Sequence, residues 1–123
     1  MKSYRLSFGT IELLNNNLAE IIVDEGIILD EVMVDEYHDF LLNNLEAPFS
    51  LLVNKKNPYS YTFEAQKIIA HLDEIQSMAV LVNSIGGVMS TETLMNINGN
   101  IHQNIKIFNE REEAINWLAD HNI

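Results

Sequence analysis

Hydrophobic and polar positions first alternate along this chain and then regroup at helical spacing. Tyr4 to Phe8 alternates, and Thr10 to Leu14 runs apolar into the turn-forming cluster Asn15 to Asn17. Leu18 to Val23 gives a third extended run that ends toward Gly26. The short links at Gly9 and at the Asn cluster predict an antiparallel meander. From Asp30 the period changes. Met33, Val34, Tyr37, Phe40 and Leu41 recur on one helical face, while Glu31, Asp35, Glu36 and Asp39 load the other. Asp30 is placed to cap this helix, Asn43 and Asn44 loosen its end, and Pro48 closes the connection.

Phe49 to Val53 is an unbroken apolar run, as in a strand covered on both faces. Residues 54–61, NKKNPYSY, then read as a loop. Residues 62–75 read as a helix capped by Thr62, with Ala65, Ile68, Ile69 and Leu72 inward. Residues 77–83, SMAVLVN, give a second buried-type strand. Gly86 and Gly87 read as a flexible turn before a short helix from Thr91 to Ile97, stopped by Asn98, Gly99 and Asn100. Asn104 to Phe108 is the last strand, with Ile105 and either Ile107 or Phe108 buried. In the closing segment Asn109 and Glu112 have capping-box spacing, and Glu110, Glu112 and Glu113 favour the positive end of the helix dipole. Ala114, Trp117 and Leu118, with Ile115, form the buried face of a helix lying as a lid on the sheet.

Three strands followed by alternating helix and strand predict an α/β fold on the α+β border. The expected sheet is mixed, with about five to six strands, antiparallel on the N-terminal side and parallel with right-handed crossovers on the C-terminal side, flanked by about four helices. No repeat or linker divides residues 1–123, a length that suits one domain.

Charge narrows the function. The 18 acidic and 7 basic residues give a net charge of −11, which argues against nucleic acid and against anionic membrane surfaces. Such a surface either solubilises the protein or docks it to a basic partner. With no cysteine, thiolate chemistry and cysteine zinc sites are excluded. The N-terminus lacks the pattern of a signal peptide, and no apolar run reaches the roughly 18 residues of a membrane span. The expectation is a cytoplasmic protein without an integral membrane segment.

Candidate chemistry gathers at one loop. Lys55 and Lys56 are the adjacent basic pair of an acidic chain, at the C-terminal end of an expected parallel strand, where open α/β sheets bind ligands. Ser60, Thr62 and the free amides of the following helix are suited to an anion or to an added phosphate. Gly86 and Gly87 are candidates to line a cleft beside the lysines. The four histidines, His38, His71, His102 and His121, have no metal-ligand spacing, and Ser84 and Ser90 have no evident triad partners. No metal or cofactor is expected. Met33, Met78, Met89 and Met95 read as gap-fillers in the core or as the walls of a pliable apolar cavity.

The segment KIFNEREEAINWL, with Phe108, Glu112, Ala114, Trp117 and Leu118, resembles the closing signature of the SpoIIAA-like (STAS/SEC14-like) proteins. VDEGIILDEVMVDEYHDFL, residues 23–41, resembles that family's strand, glycine and first helix, and MAVLVN, residues 78–83, its central strand. The resemblance runs from about residue 19 to the end. It implies the anti-anti-sigma-factor type of fold, no cofactor, and a non-enzymatic regulatory or protein-interaction module with a protein partner. It also implies a phosphorylated serine in an Asp-Ser motif at a helix start. LLVNKKNPYSYTFEA has no such pair, and Ser60 and Thr62 are the nearest hydroxyls. The alternative is a small-ligand or lipid-binding module of the SEC14-like type, taking a small apolar or anionic ligand. An open sheet also leaves edges through which a homodimer can form.

Overall fold

The computed structural model describes residues 2–98 and 104–121, and the side chains of these except His121. Three antiparallel strands open the chain: β1 Lys2–Arg5, β2 Gly9–Asn15 and β3 Leu18–Val23. They are followed by β4 Ile28–Leu29, α1 Glu31–Asn44, β5 Phe49–Lys55, β6 Ser60–Tyr61, α2 Phe63–Ile68, β7 Ile75–Val82, α3 Ile85–Asn98, β8 Ile105–Phe108 and α4 Arg111–His121. The six-stranded sheet has the order β1-β2-β3-β5-β7-β8, parallel from β3 to β8. This is the mixed sheet that the pattern predicts. The short strands β4 and β6 pair in parallel beside it.

Alternation divides the side chains between two faces. Ile11, Ala19, Ile21, Val23, Leu51, Met78 and Val80 face a large core shared with Tyr37 and Leu41 of α1. Leu52 and Ala79 face the other way, against Ala114 and Leu118 of α4. β5 and β7 are therefore covered on both sides, which is why their sequences lack a polar stripe. Ser50 and Ser77 are buried on the α4 side and satisfy each other, Oγ to Oγ at 2.6 Å.

Local chemistry sets the boundaries. Asp30 caps α1, its carboxylate accepting the Met33 N–H at 2.9 Å, and Thr62 caps α2 by accepting the Ala65 N–H at 3.1 Å. β1 ends at Arg5, three residues short of the expected Phe8. Leu6 N–H bonds the Gly9 carbonyl across a turn, and Phe8 drops into the core. Gly9 is required there: a Cβ would fall on the Ile22 carbonyl oxygen and lie 2.9 Å from Val23 Cα. Gly26 has φ +80°, in the left-handed region that glycine adopts freely.

Four expectations are corrected. α2 stops at Ile68 instead of running to residue 75, because the chain must turn to enter β7, with Ile75 N–H on the Leu72 carbonyl. Ile68 consequently lies outward, 36% exposed. α3 begins at Ile85, six residues before Thr91, because the Ser84 hydroxyl caps it, accepting the Gly87 N–H at 3.1 Å. Gly86 and Gly87 are thus its first turn and not a flexible link. α4 begins at Arg111, with the Glu110 carbonyl accepting the Ala114 N–H, so Glu110 takes the cap position in place of Asn109. Ile105, Ile107 and Phe108 are half-buried in an edge strand. Gly99, Asn100 and His102 lie outside the described residues.

Candidate functional site

β5 continues two residues past its apolar run, and this converts the expected loop into a site. The alternation that turns Leu51 and Val53 inward also turns Lys55 inward, opposite Val82 of β7. Lys55 is 7% exposed. Its Nζ donates to Ser90 Oγ of α3 at 3.3 Å and lies 5.3 Å from the ring centroids of both Tyr59 and Tyr61. Among the described residues no carboxylate pairs with it: the ion pairs are Arg5 with Asp24 and Arg111 with Glu20. Burial without a counter-charge penalises the ammonium and lowers its pKa to about 8.

The tyrosines form a cluster over this amine. Tyr59 and Tyr61 meet edge to face at 5.6 Å between centroids, their hydroxyls 3.4 Å apart. Burial raises the pKa of Tyr37, Tyr59 and Tyr61. All three therefore stay protonated near neutrality and remain hydrogen-bond donors.

Above Lys55 a cleft of about 440 Å³ opens between two turns. One wall is Lys55, Lys56, Asn57, Pro58 and Tyr59, at the C-terminal end of β5; the other is Asn83, Ser84, Gly86, Gly87 and Ser90, where β7 passes into α3. Both turns stand at the carboxyl ends of adjacent parallel strands. Gly86 brings an amide that, in the first turn of a helix, has no intrahelical acceptor. Below the amine lies an interior space of about 40 Å³, walled by apolar side chains, Tyr37, Tyr59, Tyr61 and Lys55 itself. It is large enough for a water or two. Lys55 and Tyr59 stand in the walls of both spaces.

The structure brings Lys55, Lys56, Gly86 and Gly87 together and leaves Ser60 and Thr62 out. Ser60 is exposed in β6, away from the cleft lining; the Thr62 hydroxyl is occupied as a helix cap. Lys56 is exposed and differs sharply from its neighbour. Its charge helps to lower the pKa of Glu20. Burial pushes that carboxyl up, but hydrogen bonds from Arg111 Nη1 at 2.6 Å and Asn54 Nδ2 at 3.0 Å, with the charges of Arg111 and Lys56, hold it below its usual range. His38 is half-buried on the Ile69 carbonyl at 3.0 Å, and His71 is exposed beside Asn98. Among the described residues no three His, Asp or Glu side chains gather to hold a metal, and no helix is long and apolar enough to cross a membrane.

Sequence reasoning missed the tyrosine cluster and Ser90. The alternation Leu51, Val53, Lys55 was a usable signal for the buried amine, but the tyrosines follow Pro58 with no period to orient them. Comparison with known proteins finds no match to this chain among family models, curated proteins or solved structures.

Proposed function

We propose that this chain is a small-ligand-binding module that holds an anionic group in the cleft between the end of β5 and the start of α3. The observation that carries this reading is the buried Lys55 ammonium, which has no carboxylate partner among the described residues in a chain of net charge −11. A cation buried this way costs folding energy, and an anion in the cleft supplies the missing charge. Lys56, the Ser84 and Ser90 hydroxyls and the first turn of α3 converge on the same space. Calorimetry with inorganic phosphate tests it. Phosphate is expected to bind at one site, with affinity falling as salt rises and lost in Lys55→Met. Absence of binding at low ionic strength contradicts it.

A second reading, the non-enzymatic regulatory or protein-interaction module of the SpoIIAA-like resemblance, is favoured by the outer face of α3. Ile85, Met89 and Ile97 are 78%, 61% and 40% exposed there. In its simplest form the face pairs with a second copy of the chain. Sedimentation equilibrium is then expected to show a dimer that Met89→Glu dissociates. A monomer at all concentrations removes that form of the reading.

A further inference from the structure

We infer that Lys55 is a carbonyl-condensing lysine, whose amine forms a reversible imine with a small aldehyde or ketone entering the cleft. Combined with the anion-binding reading, on which this ligand class rests, the ligand is a small oxo acid. Its acid group lies toward Lys56 and the α3 terminus, and its carbonyl carbon reaches Lys55.

Imine formation needs an amine that is neutral near working pH, shielded from bulk water, open to ligand and close to a proton donor. Lys55 combines these. It is 7% exposed yet lines the cleft, and no carboxylate among the described residues holds it charged. With a pKa of about 8, its neutral fraction near pH 8 is roughly 100-fold that of an ordinary lysine. Ser90 Oγ lies 3.3 Å from Nζ, and the rings of Tyr59 and Tyr61 flank it. The Ser90 hydroxyl is the proton relay within hydrogen-bond reach, and the half-buried tyrosine rings screen the amine from bulk water.

The step balances without a redox partner. The nitrogen lone pair adds to the carbonyl carbon and gives a carbinolamine. A neighbouring hydroxyl passes a proton to the carbinolamine oxygen, which leaves as water. The nitrogen keeps the new C=N bond and returns a proton to that hydroxyl. Amine and carbonyl become imine and water. Lys56 is the internal control, because it is adjacent in sequence but exposed.

The test is reductive trapping on the full chain. Glyoxylate, and in parallel uncharged butanal, is added with cyanoborohydride, which reduces an imine to a stable secondary amine. Peptide mass spectrometry then reads each of the five lysines. At pH 8, glyoxylate is expected to modify Lys55 at least about tenfold faster than any other lysine, and phosphate is expected to slow that reaction. In Lys55→Met the fast phase disappears. The wild-type map does not depend on how the variant folds. Even labelling of all lysines, or preference for Lys56, overturns the inference; if phosphate still binds, the anion site survives it. Selective labelling of Lys55 by both aldehydes without protection by phosphate supports the imine and overturns the anion site.

Discussion

At the scale of single residues, Lys55 sets stability against binding. Its folded pKa is about 8 against an ordinary 10.5. Between these values the unfolded chain holds the extra proton, so the Lys55 contribution makes stability rise with pH from about 8 to 10.5. Below that window both states are charged and the penalty is constant, about 3 kcal/mol, offset in part by the two tyrosine rings. Lys55→Met is therefore expected to stabilise the ligand-free protein at pH 7 by about 1 kcal/mol while abolishing phosphate binding. Paired urea unfolding and calorimetry check this; a variant that loses stability contradicts it. Gly9→Ala is expected to cost about 2 kcal/mol or more, because its methyl meets the Ile22 backbone and not a side chain that can move. Thermal unfolding measures that. The inward turn of Lys55 was legible in the alternation of β5. The loss of its charge partner was not, because sequence does not say which carboxylates lie near.

At the scale of elements, α4 is held to the sheet by packing and by one charge pair. Ala114 and Leu118 cover Leu52 and Ala79, and Trp117 packs on Phe108 at 5.6 Å between centroids. Arg111 reaches Glu20 of β3, which is buried while the arginine is 48% exposed. Arg111→Met is expected to cost about 1–2 kcal/mol at pH 7, less than for a fully buried pair because of that exposure. The Glu20 pKa is held low, so the pair contributes above the carboxylate range and is lost as pH falls through it. The difference between variant and wild type should therefore shrink at a pH below the ordinary glutamate range. Urea midpoints at the two pH values decide it; an unchanged difference assigns the effect to lost packing. The type of each main element was legible in apolar spacing, and the caps Asp30 and Thr62 in residue chemistry. The extents of α2 and α3 were not. α3 is apolar on several faces and has two glycines in its first turn, so the hydroxyl of Ser84 marks its start better than periodicity does.

At the scale of the whole molecule, a chain of net charge −11 places two adjacent lysines at the carboxyl end of β5, a central parallel strand. The mixed sheet follows from strand and helix order, because a parallel strand pair needs a covering crossover while the N-terminal meander does not. The two walls of the cleft are about 30 residues apart in sequence and meet only because β5 and β7 are neighbours. The lysine pair and the glycine pair were legible as candidates for one cleft from their places after expected strands; the tyrosine cluster and the interior space were not. On the proposed reading Lys55 is a buried cation awaiting an anion. The most direct measurement is NMR titration of Lys55 in protein carrying ¹³C-labelled lysine, with and without phosphate. The expected result is a midpoint near 8 that rises on adding phosphate. A Lys55 midpoint near 10.5 that phosphate leaves unchanged would contradict both the burial of the charge and its role.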